Sequence, residues 1–322
     1  MPVSRSHLTR GYAVAVLSAA ILSTTAIFIR YLTETTHIPP LVLALWRDVF
    51  VVVTLWPALR LLAPHLLRVE RSQWGYLLFH GLVLAVFNVF WTLSVALNGA
   101  AVATVLVYSS AAFTTLLGWW LLKERLDWAR LAAVALCLGG CVLVSGALDS
   151  ASRQANLNGI LIGVLSGLGY AAYSLMGRAA SQRGLNPWTA LLYTFGFAIA
   201  YLLLFNLLPD RLLPGTASRP ADLLWLGSAL GSWGVLFALA AGPTIAGFGL
   251  YNVSLSLLPS SVANLIVTLE PAFTAVSAYL LLGERLNGVQ IGGSGMILSG
   301  VVLLRIYEGW LAGRTTVSGG ER

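Results

Sequence analysis

Two pairs of polar side chains stand at matched spacings in a largely apolar chain. Thr104 and Tyr108 are four residues apart, and so are Asn264 and Thr268. On an α-helix that spacing returns to one face, so each pair aims two hydrogen-bonding groups the same way. Other polar and aromatic residues repeat the pattern. Ser18 and Thr25 share one stripe, Ser166, Tyr170 and Tyr173 another, and Asn88 and Trp91 (with Phe248 and Tyr251 later in the chain) a third. Hydroxyls, amides and ring faces of this kind suit a small amphipathic solute held by hydrogen bonds and stacking, aromatic or large apolar amino acids included. The chain has no His-Glu-x-x-His, Gly-x-Ser-x-Gly, paired intramembrane aspartates or nucleotide loop, so neither an enzyme nor an ATP-driven machine is expected. The four histidines are scattered. Cys137 and Cys141 share a helix face, which reads as packing rather than a metal framework. No cofactor or metal is expected.

Glu270 is followed at once by Pro271. One reading makes the carboxylate a proton or substrate-amine site, because an intramembrane ionisable group is functional by default. The other is structural. Pro271 has no backbone N–H and frees the carbonyl of Val267, and the carboxylate would satisfy donors near the kink. Turning about 100° per residue, Glu270 points some 200° away from the Thr268 face, which favours the structural reading. Arg47 is expected to be structural too, snorkelling outward or paired with a carboxylate; its neighbour Asp48 points to another face. Glu124 and Glu284 read as solvated charges at span ends. Gly163/Gly167 and Gly288/Gly292 have the small-xxx-small spacing of close helix packing, expected within one chain.

The elements that must carry these groups are membrane spans. Of the 322 residues 58% are hydrophobic and 10% charged, against about 25% charged in a soluble domain. Ten apolar runs can be drawn, at 11–32, 40–63, 74–97, 100–121, 127–147, 158–178, 187–208, 233–257, 262–282 and 288–307. Each approaches the roughly 20 residues that cross a bilayer. The first run is followed by more membrane and does not read as a cleaved signal. The +7 charge is better explained by basic loops than by nucleic acid. With the N-terminus inside, thirteen Lys and Arg fall on inner segments and five on outer ones. Both termini are therefore expected in the cytoplasm. Residues 209–232 are long for a loop. They read as an outer connection with a short surface helix; the rival reading starts the eighth span near Asp222 and breaks it around Gly242-Pro243.

The chain repeats itself. A shift of 160 brings Thr104 onto Asn264, Phe113 onto Phe273, Trp91 onto Tyr251 and Glu124-Arg125-Leu126 onto Glu284-Arg285-Leu286. Upstream a shift of 148 brings Ser18 onto Ser166 and Arg30 onto Arg178. The expected fold is an all-α polytopic membrane protein: ten transmembrane helices in two five-helix repeats, 11–148 and 158–307. An odd number of spans per repeat inverts the second copy, the architecture of secondary transporters.

With "LALWRD" (Leu43–Asp48), "LEP" (Leu269–Pro271), "GERL" (Gly283–Leu286) and the paired "KERL" (Lys123–Leu126) in this order, the chain resembles the EamA-type drug/metabolite transporters. It looks most like their aromatic amino-acid exporter branch, YddG-like. The first copy departs by carrying Ser110-Ala111 for Glu-Pro, and the 209–232 connection is a second departure. The resemblance implies export or exchange of small metabolites, amino acids prominent among them, through a cavity lined by the first, third, fourth, sixth, eighth and ninth spans. It places Thr25, Asn88, Trp91, Thr104, Tyr108, Tyr170, Tyr173, Tyr251, Asn264 and Thr268 near that cavity. The implied partners are a small-molecule substrate and the lipid bilayer, not nucleic acid. A monomer is expected, with a dimer as alternative, in a bacterial cytoplasmic membrane. A non-transporting or lipid-handling membrane protein is the runner-up, with an intramembrane enzyme behind it.

Overall fold

The computed structural model describes residues 5–122, 127–144, 150–257, 266–267 and 269–318. The helices are α1 (Arg5–Leu22), α2 (Thr24–Thr36), α3 (Pro40–Leu62), α4 (Trp74–Asn98), α5 (Ala100–Val107), α6 (Ser110–Leu122), α7 (Trp128–Val144), α8 (Ser150–Gln182), α9 (Pro187–Asn206), α10 (Leu230–Leu239), α11 (Phe248–Leu257), α12 (Glu270–Leu282) and α13 (Gly288–Ser318). Among the described residues six segments are long and apolar enough to cross a membrane: Arg10–Thr36, Pro40–Leu62, Arg71–Asn98, Leu157–Gly177, Pro187–Asn206 and Leu230–Tyr251. Four shorter apolar helices, Ala100–Thr114, Leu131–Leu143, Glu270–Leu282 and Gly288–Leu303, lie where the other apolar runs were drawn.

Several segments are interrupted, and the local sequence explains how. Ser23, Thr24 and Thr25 donate their hydroxyls to the carbonyls of Ala20, Ile21 and Leu22 at 2.6–2.7 Å. Three consecutive back-bonds of this kind compete with the main-chain ladder and bend a helix. At Tyr108 and Ser109 the ladder tightens to i→i−3 bonds onto Val105 and Leu106, which separates α5 from α6. Between α10 and α11 the chain winds as a π-helix over Ala240–Gly247. Pro243 lies inside it and cannot donate to Leu239 O four residues back; the i→i+5 winding hands that carbonyl to Thr244, whose hydroxyl also donates to it at 3.1 Å. Pro271 follows at the start of α12.

Helix α7 lies along α13, α4 packs on α8 and α9, α1 on α11, α3 on α9, and α12 on α1, α2 and α5. Backbone-close approaches decide some of these pairings. A Cβ on Gly140 would stand 2.6 Å from Gly293 O, and one on Gly300 2.8 Å from Ala133 O. The Gly163/Gly167 seam also packs within the chain: added Cβ atoms would meet Leu106 and the Ser109 hydroxyl at 2.5 and 2.2 Å. Gly288 and Gly292 differ from expectation, with nothing within 4 Å. The close seam of α13 runs through Gly293 and Gly300 instead. Both cysteines are buried and free.

The connection after α9 is a docked surface segment. It makes a single 3-10 turn at Pro220–Leu224, and α10 begins only at Leu230. Trp46 of α3 donates its indole N–H to Leu223 O at 2.6 Å, and Trp225 donates to Thr36 O at 2.9 Å. Leu41 N–H reaches Gly215 O at 3.0 Å. Residues 209–232 thus hold one 3-10 turn, α10 starts at Leu230 rather than near Asp222, and the helical winding changes over Ala240–Gly247, around Gly242-Pro243.

Candidate functional site

The interruptions meet. Thr274 of α12 is fully buried and donates its hydroxyl to Ser23 O, at the α1–α2 break, at 3.1 Å. The Tyr108 hydroxyl, at the α5–α6 break, lies 3.0 Å from Val267 O and 3.1 Å from Glu270 Oε2. Val267 O is the carbonyl that Pro271 leaves without an intrahelical donor. A side chain from 159 residues earlier therefore supplies the missing hydrogen bond. Ser18 of α1 donates to Gly247 O, where the π-helix ends, at 2.8 Å.

Glu270 faces Tyr108 of the other half, although a uniform helical turn points it elsewhere. The count of 100° per residue holds only along a regular helix. Here Leu269 N–H bonds to Ile266 O, an i→i−3 contact, and Pro271 follows.

The structure brings some of the other expected residues into this region and gives others different work. Thr25 is partly buried and its hydroxyl is taken by Leu22 O. Thr104 is fully buried and donates to Ala100 O at 2.8 Å, so its hydroxyl is satisfied inside α5. Trp91 is only 6% exposed and belongs to the same apolar cluster as Ile27, Leu43 and Val95. Tyr170 and Tyr173 line up with Phe87 of α4, ring centroids 5.4 and 6.4 Å away, and form an aromatic wall between α4 and α8. Tyr251 is half-buried on α11. Asn264 and Thr268 lie outside the described residues.

Asn88 joins Arg47 and Asp48 in a buried polar knot. Asp48 Oδ1 accepts from Arg47 Nε and Nη2, both at 3.2 Å, and Oδ2 accepts from Asn88 Nδ2 at 2.7 Å. Arg47 is 4%, Asp48 0% and Asn88 1% exposed, so the charges are paired away from solvent and lipid. The partner of Arg47 is the adjacent Asp48, which its flexible stem reaches although the two residues leave the helix on different faces.

A second polar centre escaped the sequence reading. Glu284, expected as a solvated end charge, accepts from Ala100 N–H at 2.8 Å and Ala101 N–H at 3.0 Å. It caps α5 from the far end of α12. Gly99 makes room with φ of 82°, and a Cβ there would stand 2.8 Å from Glu284 Oε1. Arg30 ties the region together through Ala96 O at 2.7 Å, Glu34 at 2.5 Å and Glu284 at 3.6 Å. One signal was available: a helix that follows a glycine has no capping side chain and must find an acceptor elsewhere.

Among the described residues no group of three His, Cys, Asp or Glu could hold a metal ion. The arrangement offers hydrogen bonds, ring faces and one carboxyl at a junction of interrupted helices.

Known proteins give this junction a context. The EamA-like transporter family model matches the chain twice, over residues 9–146 and 157–306. The chain is 26% identical over 278 residues to a probable amino-acid metabolite efflux pump of Escherichia coli, covering 83% of this chain and 86% of that one. It is 28% identical over 232 residues to the threonine/homoserine exporter RhtA of Salmonella typhimurium, covering 71% and 70%. An uncharacterized transporter of Synechocystis, sll1319, is 28% identical over 243 residues, covering 74% and 67%. One solved crystal structure shares the fold with a TM-score of 0.56 at 18% identity, covering 94% of this chain and 99% of its own. The chain, an all-helical membrane protein, belongs to the EamA-like transporter family.

Proposed function

We propose that the protein is a secondary transporter that exports or exchanges small metabolites by alternating access. Its substrates are amino acids, including aromatic or large apolar ones. The carrying observation is the junction of interrupted helices, where Tyr108 and Thr274 each satisfy a backbone carbonyl at a break in another segment. Irregular backbone at membrane depth survives only where protein buries it or a cavity solvates it, and transporters place substrate at such breaks.

The contacts support a two-fold relation between halves 11–148 and 158–307. If the helices make ten spans, α4 on α8 pairs the third with the sixth, and α1 on α11 pairs the first with the eighth. A two-fold axis that exchanges the halves interconverts these pairs. It maps α3 on α9, α5 on α12 and α7 on α13 each onto itself. The basic-residue count supports cytoplasmic termini, in the cytoplasmic membrane of a bacterium. The names of the E. coli and Salmonella relatives support the amino-acid class. The Phe87–Tyr170–Tyr173 wall supports aromatic members of it.

The test is counterflow with purified protein in liposomes. Preloaded phenylalanine or threonine should drive uptake of the labelled same amino acid, and protein-free vesicles should show none. Folded protein that carries neither would overturn the assignment.

A further inference from the structure

Tyr108 carries one hydroxyl hydrogen and faces two acceptors. Val267 O, stripped of its helical donor by Pro271, lies 3.0 Å away, and Glu270 Oε2 lies 3.1 Å away. With Glu270 ionised, both acceptors compete for one hydrogen and one of them goes without it. With a proton on Glu270 the set closes: the carboxyl O–H donates to the Tyr108 oxygen, and Tyr108 donates to Val267 O. One added proton gives each of these two contacts a hydrogen of its own. The ionised form leaves an uncompensated acceptor at the contact between the α5–α6 break and α12.

We propose that Glu270 is the site where a proton and the ammonium group of an amino-acid substrate displace one another. This rests on the transporter reading above. Protonated, Glu270 locks α12 to Tyr108. On losing the proton to water it becomes a carboxylate that binds an ammonium ion, and the Tyr108 hydrogen stays with Val267 O. Reprotonation from the opposite side releases the amine. One proton moves against one ammonium, with no covalent step.

Few other ionisable groups bear on this site. Among the described residues Tyr108 faces Glu270 from the α5–α6 break. Helix α2, also packed on α12, brings Arg30 and Glu34 to the opposite end, where Glu284 lies. The described ionisable side chains of α1, Arg10 and Tyr12, stand three turns or more before the Ser23 break. On α12 itself Tyr279 is nine residues from Glu270 and exposed.

The experiment measures counterflow of labelled threonine and phenylalanine in proteoliposomes across pH. Wild-type counterflow establishes transport first, and its absence would sink the transporter reading rather than this one. The apparent KM should rise about tenfold per pH unit below the titration midpoint, as competition with a single proton requires. Acetylating the amino group of the probe should abolish transport. Glu270→Gln should raise KM and make it independent of pH, and Glu270→Asp should restore the pH dependence. Should the Gln variant fail to fold, Tyr108→Phe serves instead: it should keep the slope and move the midpoint by at least one pH unit. A folded Gln variant with the wild-type pH profile, an unmoved midpoint in the Phe variant, or transport of the acetylated probe would each overturn the proposal.

Discussion

Removing the Glu284 carboxylate should destabilise the protein by about 1–2 kcal/mol, and the geometry fixes that range. The side chain accepts from two N–H groups at the start of α5, at 2.8 and 3.0 Å. Gly99 has no side chain to replace it. Losing a helix cap costs about 0.5–2 kcal/mol, and a charged acceptor belongs in the upper half of that span. The cost stays below the roughly 3–5 kcal/mol of orphaning a buried charge, because Arg30 keeps Glu34 at 2.5 Å and Ala96 O at 2.7 Å. The Arg30–Glu284 contact itself, at 3.6 Å between partly exposed side chains, is worth under about 1 kcal/mol. Glu284→Gln should cost nearly as much as Glu284→Ala, because its amide nitrogen would confront one of the two N–H donors. The assay is reversible unfolding in mixed micelles of wild type, Glu284→Ala, Arg30→Ala and the double variant. A coupling energy between the two sites above about 2 kcal/mol would show that the ion pair, not the cap, carries the effect. A Glu284→Ala variant within about 0.3 kcal/mol of wild type would refute both.

Gly140→Leu should abolish folded protein, since even a Cβ there meets Gly293 backbone at 2.6 Å, whereas Gly292→Ala should be neutral or slightly stabilising. Fluorescence size-exclusion profiles check both, and equal yields would refute the α7–α13 seam. Asp48→Leu should cost about 3–5 kcal/mol by leaving the buried Arg47 unpaired, and adding Arg47→Met should recover most of it. Thermal unfolding of the single and double variants decides; a double variant as unstable as the single one would assign the loss to packing.

Much of the fold was legible because hydrocarbon imposes one demand, a run of some twenty apolar residues, and the chain meets it repeatedly. The polar stripes were less informative. In a membrane both the lipid and the protein core are apolar, so a polar stripe argues against a lipid-facing position without separating cavity from core, and an aromatic one settles neither. Asn88 and Trp91 do share a region, and both are buried in packed surroundings. Glu284 was misread for a related reason. Its position at a span end is a local fact, whereas its role depends on the bare N-terminus of α5, which the fold brings over from the other half.

The two prolines sharpen the point. Each announces a carbonyl without a donor four residues earlier, and that much is chemistry any reader of the sequence can do. What takes the carbonyl is a matter of tertiary structure. At Leu239 O the taker is Thr244, one residue beyond Pro243 on the same segment. This is a local repair, and it moves with its helix. At Val267 O the taker is Tyr108, across the contact between the two halves. Under the alternating-access mechanism proposed above, a bond between the halves is one that movement of the halves would alter, whereas the Thr244 bond stays within one segment. Of the two proline sites, the second is the one where a nearby carboxyl can make a conformational change depend on a proton.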